Sequence, residues 1–547
     1  MATIGGFVRA RAGDDHPALL FEDRSWTYAE YVAECAVRAA LFEELRTPGP
    51  PHIGVLLDNV PEFSLWLGAA ALARSVIVGI NPTRRGAELA RDVTHADCQL
   101  VVTESRHAPL LDGLDLGIGA DRLLVVDTDE YAALVAPHDG APLPDAEPEE
   151  SDLYLLLFTS GTSGSPKACL CSQGRLAHAG QVLSEMVALG PGDVAYQAMP
   201  MFHSNALFAG FAPTLAGGAA QALRRRFSAS GFLPDVRRYG ASYFNYVGKP
   251  LSYILATPAQ PDDADNPLRL VFGNEAADLD IDRFRERFGV PVVDSYGSTE
   301  GGATVRRTGD MPRGSLGRGT DGVVVLDPET GDERPPARFD ATGRLLNPDE
   351  AIGELANRLG ATGFEGYWKN DDANAARVHD GIYWTGDLAY RDTDGFLYFA
   401  GRDYDWLRVD GENFAAAPVE RILARHPDVV LASVYAVPDA EVGDQVMAAV
   451  QLRPDATFDP QGFADFLAAQ PDLGTKWAPR YVRVAELPVT ETSKVLKRVL
   501  RQERWECDDV WWRPEKDAPY RRMEGDDRDG LRRHFEARGR TAALEAS

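Results

Sequence analysis

Residues 153–170 read LYLLLFTSGTSGSPKACL. Six apolar residues run directly into a loop of threonine, serine and glycine that ends at Lys167. The apolar run predicts a strand. The loop, Thr159-Ser160-Gly161-Thr162-Ser163-Gly164, gathers backbone N–H groups and hydroxyls in one concave turn. Glycines let the backbone approach a ligand closely, and such a turn forms an anion nest. With a lysine behind it, the stretch has the make-up of a phosphate cradle. The Walker A spacing G-x-x-x-x-G-K-[ST] is absent, and the same composition suits a plain flexible turn.

Working outward, the strand-loop rhythm repeats. On the N-terminal side, WTYAEYVAECAVRAALFEEL has apolar residues at helical spacing. PHIGVLLDN predicts a buried strand, PEFSLWLGAAALARSVIVGI a helix and then a strand, and VTHADCQLVVTES and LLVVDTDE two more short strands. Alternating strands and helices imply parallel βαβ units. Residues 135–152, VAPHDGAPLPDAEPEESD, have the proline and acid content of a surface linker. On the C-terminal side, VAYQAMP, YGASYFNYVG, LRLVFGN and VPVVDSYG are strand-to-loop units, and ligands of open α/β sheets sit at such carboxyl ends. Residues 310–400 are rich in Gly, Asp and Pro, with short alternating strands such as GVVVLD and GFLYFAGR, and predict a β-rich subdomain. Beyond GRDYDWLRVDGEN a small α+β unit begins.

The expected fold class is therefore α/β. A large N-terminal domain, 1–402, contains βαβ subdomains and a β-rich subdomain. A small α+β C-terminal domain, 403–547, carries a charged tail from about residue 513, expected to be a helical or partly mobile extension.

Bulk properties narrow the function. A chain of 547 residues with 44% hydrophobic content is too long for one ordinary domain. The formal net charge of −27 argues against a nucleic-acid partner, which requires a basic face. A local basic site for a small anion is compatible with it. Five cysteines, an odd number with no CxxC pair, fit free thiols in a reducing compartment and not a structural zinc site. The N-terminus lacks an apolar signal core, and no apolar stretch reaches the ~20 residues of a membrane helix. A cytoplasmic protein without an integral membrane segment is expected; surface association with a membrane stays open.

Three further segments carry candidate chemistry. VVDSYGSTEGG, 292–302, delivers Ser295, Tyr296, Gly297, Ser298, Thr299 and Glu300 from a strand. Tyr296 offers a flat face to a base. Glu300 is the residue type that holds Mg2+, although alone a glutamate there is more often solvated or N-capping. YWTGDLAYRDTDGFLYFAGRDYDWLRVDGEN, 383–413, supplies Asp387, suited to accept from two ribose hydroxyls, and Arg402, suited to ribose or phosphate oxygens. Each alone is a turn aspartate or a surface arginine. PVTETSKVLKRVLR, 488–501, places Lys494 before an amphipathic basic helix, and in isolation it reads as a surface lysine.

Together, in this order, the four segments resemble the adenylate-forming superfamily of acyl-CoA synthetases, peptide-synthetase adenylation domains and luciferases. The resemblance covers about residues 20–500. FTSGTSGSPKA is similar to the family's phosphate loop, YGSTEG to its adenine–magnesium motif, YWTGDL with GR to its ribose motif, and TSKVLKRVLR to its C-terminal lysine motif. Ser493 stands where glycine or phenylalanine usually precedes the lysine. RVDGENFAAAPVE, FGNE and YFNYVGKPLSYIL resemble the fatty-acid-transport-protein and very-long-chain acyl-CoA synthetase branch, closest to actinobacterial fatty-acid and steroid-side-chain CoA ligases.

The resemblance implies two half-reactions. A carboxylate attacks the α-phosphate of ATP to give an acyl-adenylate and pyrophosphate, and coenzyme A then takes the acyl group. Thr159 to Thr162 and Lys167 would meet the β/γ-phosphates, with Ser163 and Gly164 further ATP-binding candidates; Thr299 would meet the α-phosphate, and Glu300 Mg2+. Asp387 and Arg402 would fix the ribose, and Gly273, Asn274 and Tyr296 would flank the adenine, with Glu275 a further ATP-binding candidate. Lys494 would act in adenylation only. His203, in PMFHSNA, maps to the mouth of the acyl pocket, with Asn245, Val247 and Gly248 in the pocket region and Arg408, Gly411 and Glu412 in the segment brought up for coenzyme A. Asp403 and Tyr404 would form the hinge of a mobile C-terminal domain, with Tyr404 in place of the family's usual Asp or Lys. Asn245 hints at an acid other than a plain fatty chain, though ordinary core packing explains it as well. The implied partners are a small-molecule carboxylic acid or other oxyacid, ATP and coenzyme A; a homodimer is left open. Two alternatives share the ATP site: an adenylating enzyme serving another acceptor or oxyacid, such as an amide-forming ligase or a diazotase activating nitrous acid for an aryl amine, and a scaffold with a dead site. All four motifs are intact, which counts against the scaffold.

Overall fold

A computed structural model describes residues 2–545 except 160–166, 277, 308–310, 313, 341–344, 403–405, 410–411, 442, 475, 491–494 and 516–517. The apolar runs form two largely parallel sheets. In the first, the strand order is Leu123–Val125, Cys98–Thr103, His52–Leu56, Val76–Gly79, Leu153–Thr159, Lys167–Ser172. Only the last pair is antiparallel, with Thr159 opposite Lys167. The second runs Val292–Ser295, Leu270–Asn274, Tyr243–Val247, Val194–Gln197, Ala220–Leu223, Pro17–Phe21, Arg24–Thr27, parallel up to a final hairpin. Parallel strands need crossovers, and helices such as Pro61–Leu72 and Gln173–Val187 supply them. Every residue from Phe63 to Leu72 is buried. A helix apolar on all sides is stable only inside a core, and each large side chain there contributes roughly 1.5–3 kcal/mol by leaving water.

The Gly- and Asp-rich stretch forms the expected β-rich unit. Its antiparallel sheet is ordered Val305–Arg306, Gly317–Gly319, Phe396–Arg402, Ile382–Arg391, Gly353–Asn357, Val323–Leu326. It docks on the first sheet through backbone bonds from Leu170 N to Gly366 O and from Trp368 N to Ala168 O.

The C-terminal unit has its own sheet, Val429–Pro438, Asp444–Leu452, Tyr481–Val484, Val510–Trp512 and Arg521–Arg522, over helices Ala416–Leu423 and Pro460–Ala468. Here the tail departs from expectation. It contains the expected helix, Gly525–Ala537, but its apolar residues are structural. Trp512, Met523 and Phe535 are buried in one cluster with Trp505 and Tyr481. Burial of these few large side chains holds a segment whose composition is mostly charge. Among the described residues, no helix is long and apolar enough to cross a membrane. The described cysteines are free thiols.

The two parallel sheets are joined by a buried charge cluster. Asp58, following one strand, accepts from His107 Nε2 at 3.0 Å and from Arg226 Nη2 at 3.0 Å, while Arg225 Nη1 meets Glu104 at 2.5 Å. Burial alone would raise the Asp58 carboxyl. The His107 and Arg226 hydrogen bonds outweigh burial and hold it at about 2.

Candidate active site

The carboxyl ends of both parallel sheets open onto the edge of the β-rich unit, and the candidate residues meet there. Glu300 is buried. Its Oε1 accepts from the Tyr367 hydroxyl at 2.9 Å and lies 3.5 Å from Thr159 Oγ1. Lys167 Nζ sits 5.4 Å from the centre of the Tyr367 ring. Burial, then the charge of Arg377, hold the Lys167 ammonium below its ordinary pKa, against the pull of Glu300. A cation whose hydration is already partly stripped is poised for an anionic ligand. Thr299 Oγ1 pairs with Ser204 Oγ at 2.8 Å, and its carbonyl accepts from Arg175 Nη2 at 2.6 Å. Arg175 also donates to Leu170 O at 3.0 Å, tying the 292–302 segment to the strand after the phosphate loop.

Tyr296 donates from its hydroxyl to Asp387 Oδ2 at 2.7 Å. Asp387 is buried and its N–H donates to Thr385 Oγ1 at 3.0 Å. Ladder register places it opposite Arg402. A chain of amides runs along the adjoining strand ends: Asn245 Nδ2 to Asn205 Oδ1 at 2.9 Å, Asn205 Nδ2 to Asn274 Oδ1 at 3.2 Å, and Asn274 Nδ2 to Ser295 O at 2.6 Å. The Ser295 carbonyl can only accept, so the direction of the chain is fixed. Asn245 is therefore partly accounted for by packing inside this chain. Gly273 is packed against Tyr246: a Cβ there would lie 2.4 Å from the Tyr246 carbonyl. Glu275, just past the strand, holds φ 70°, a strained setting for a non-glycine residue. Val247 is buried, and Gly248 N donates to Asn274 O at 3.0 Å. His203 caps a turn, its Nδ1 accepting from Asn205 N at 3.3 Å. A π-helix, Ala206–Phe211, follows it, a feature frequent at functional sites. Gly297 and Ser298 are exposed at the rim.

Several candidates fall outside this geometry. Ser160, Gly161, Thr162, Ser163, Gly164, Asp403, Tyr404, Gly411 and Lys494 lie outside the described residues, as do the side chains of Arg402, Arg408 and Glu412. Conversely, the sequence reading missed Arg175, Tyr367 and Arg377. Arg377 Nε donates to the Tyr367 hydroxyl at 3.2 Å and its Nη1 to Trp384 O at 3.2 Å. Its only sequence signal is a position between the phosphate and ribose motifs, within a run, GYWKNDDANAARVHD, that otherwise looks like charged surface.

The family profile described as AMP-binding enzyme matches residues 7–368, and that described as AMP-binding enzyme C-terminal domain matches 418–494. The chain belongs to the AMP-binding enzyme family. This AMP-binding enzyme is 51% identical over 547 residues to steroid-22-oyl-CoA synthetase of Rhodococcus jostii (strain RHA1), covering 99% of each chain. It is 50% identical over 500 residues to the medium/long-chain-fatty-acid–CoA ligase FadD17 of Mycobacterium tuberculosis (strain ATCC 25618 / H37Rv), covering 91% of this chain and 96% of that one. Among solved structures, ATP-bound MatB from Rhodopseudomonas palustris superposes with a TM-score of 0.77 over 91% of this chain and 98% of its own, at 24% identity, a likeness of fold.

Proposed function

We propose that this AMP-binding enzyme is an acid–CoA ligase for carboxylic acids with a large apolar body, the class that spans steroid side-chain acids and medium- to long-chain fatty acids. The observation that carries this reading is the set of contacts Thr159–Glu300, Lys167–Tyr367, Thr299–Ser204 and Tyr296–Asp387, where residues at the ends of the two parallel sheets meet the β-rich unit. The near-full-length likeness to CoA ligases of both acid types supports the substrate class. The segments RVDGENFAAAPVE and FGNE support a place near the very-long-chain branch.

In the first half-reaction a carboxylate oxygen bonds to the α-phosphorus of ATP, the bond to the bridging oxygen breaks, and pyrophosphate leaves. Two anions must meet, so the protein's contribution is positioning and charge neutralisation. The 159–164 loop and Lys167 hold the departing β/γ-phosphates. Thr299, steadied by Ser204, presents its hydroxyl to the α-phosphate. Asp387 accepts from the ribose hydroxyls, displacing the Tyr296 phenol from one oxygen, with Arg402 beside it. Asn274, fixed by Asn205 and Ser295, lines the adenine side. The residues fit Mg2+: Glu300 offers a hard carboxylate next to a threonine hydroxyl, the donor set this ion takes alongside substrate phosphates. When bound, the ion neutralises charge on the phosphate oxygens. Lys494 bridges carboxylate and α-phosphate oxygens.

In the second half-reaction the 403–547 domain turns about 402–404, withdraws Lys494 and brings Arg408, Gly411 and Glu412 to the site. The coenzyme A sulfur bonds to the acyl carbon, AMP leaves, and the thiol proton passes to solvent. Gating by such motion is a common enzymatic device. Incubation with ATP, coenzyme A and a panel of steroid, fatty and aryl acids tests the proposal. CoA thioesters of steroid or medium- to long-chain acids are expected. Nitrite-dependent AMP release with an aryl amine, and no thioester, would overturn it.

A further inference from the structure

Tyr367 lies at the centre of the site yet belongs to none of the four motifs. It is fully buried, and its ring is flanked by Lys167 on one face. Its hydroxyl oxygen is 3.2 Å from Arg377 Nε and 2.9 Å from Glu300 Oε1. A guanidinium only donates and an ionised carboxylate only accepts. The phenol oxygen must therefore accept from Arg377, and its single proton must point at Glu300 Oε1. Arg377 is itself held from the far side. Its Nη1 donates to Trp384 O, and a Cβ on Gly386, at φ 72°, would come within 2.7 Å of that same nitrogen. Gly386 N in turn donates to Glu354 Oε1 at 2.6 Å, and Gly386 precedes Asp387. The string Glu300–Tyr367–Arg377–Trp384 thus links the adenine–magnesium segment to the ribose segment.

We propose that Tyr367 and Arg377 are positioning residues that hold Glu300 in its metal-binding posture. Arg377 orients the Tyr367 hydroxyl, and Tyr367 in turn donates to Oε1, so that the Glu300 carboxylate is fixed in place beside Thr159, where it would hold the ion. This inference rests on the metal role given to Glu300 above.

The test measures binding of Mn2+ to the full-length enzyme with ATP, from the free-ion paramagnetic resonance signal, alongside thermal unfolding of the ligand-free protein. Tyr367→Phe removes one oxygen and is the mildest probe. It is expected to weaken Mn2+ binding by about tenfold, the scale of one hydrogen bond to a charged group, with the ligand-free melting temperature little changed. Arg377→Met is expected to do the same, and Arg377→Lys to restore part of the loss. Wild-type Mn2+ binding in Tyr367→Phe, or loss in step with the melting temperature alone, would overturn the inference. Glu300→Gln separates the two layers. If it weakens Mn2+ binding and Tyr367→Phe does not, only the present inference falls. If Glu300→Gln itself binds Mn2+ normally, the metal role falls and this inference with it.

Discussion

The phenol of Tyr296 donates to Oδ2 of Asp387 at 2.7 Å, across 91 residues of sequence. The residue that is to face the adenine and the one that is to hold the ribose are therefore one hydrogen-bonded unit before any nucleotide arrives. Hydrogen bonds to a charged group contribute roughly 1.5–3 kcal/mol each. Asp387→Ala should lower kcat/KM for ATP by on the order of 10- to 100-fold, whereas Tyr296→Phe, which spares the carboxylate, should cost less than about tenfold. Steady-state kinetics with ATP varied decides this; an unchanged KM for ATP in Asp387→Ala would remove the ribose role.

Lys494 is assigned to one half-reaction only. Lys494→Ala should slow acyl-adenylate formation by roughly 10²- to 10³-fold, the scale of losing one transition-state charge contact. Thioester formation from a supplied acyl-adenylate should be nearly unaffected. Equal losses in both halves would contradict the assignment.

Asp58 sets an acid limit on stability. Its carboxyl is held at about 2, below its ordinary 3.8, by His107 and Arg226 working against burial. A depressed carboxylate stabilises the fold fully above its unfolded value, and that contribution is lost as pH falls from about 4 to 2. Asp58→Asn should destabilise by about 1–3 kcal/mol near neutrality, the scale of the hydrogen bonds its carboxylate accepts from His107 and Arg226. It should also lack the part of the acid-induced decline that this carboxylate causes. Denaturant melts between pH 7 and 3 test both signs.

Gly273 separates packing from ligand contact. A methyl group there meets the Tyr246 carbonyl at 2.4 Å and its ring at 2.5 Å. Gly273→Ala should therefore destabilise by about 1–3 kcal/mol through overpacking, seen as a lower melting temperature in the absence of ATP. A variant with wild-type stability and weakened ATP binding would instead mark a direct adenine contact.

Much of the fold is legible in the sequence for one physical reason. Strands buried on both faces, such as LYLLLF and VIVG, must be continuously apolar, and they announce themselves. Their partition into two sheets is not legible. The pairing of Pro17–Phe21 with Ala220–Leu223 depends on contacts some 200 residues apart that no local pattern encodes. The tail shows the opposite failure: Trp512 and Phe535 are too few to outweigh its charge by composition, yet burial of just these rings fixes it. At the site, Thr299 and Glu300 stand just beyond the end of Val292–Ser295, and Asp387 sits inside the strand Ile382–Arg391. Tyr367 and Arg377 were hidden because their partners, Glu300 and Trp384, are adjacent only in space.

The most direct test is transfer of isotope from acid to nucleotide. With a carboxylate labelled in both oxygens by oxygen-18, attack on the α-phosphorus leaves one labelled oxygen as the bridge, and thioester formation releases it in AMP. One oxygen-18 per AMP, with unlabelled pyrophosphate, is the expected result for a steroid or fatty acid that yields a thioester. Label in orthophosphate, or thioester formed with unlabelled AMP, would contradict an acyl-adenylate at this site.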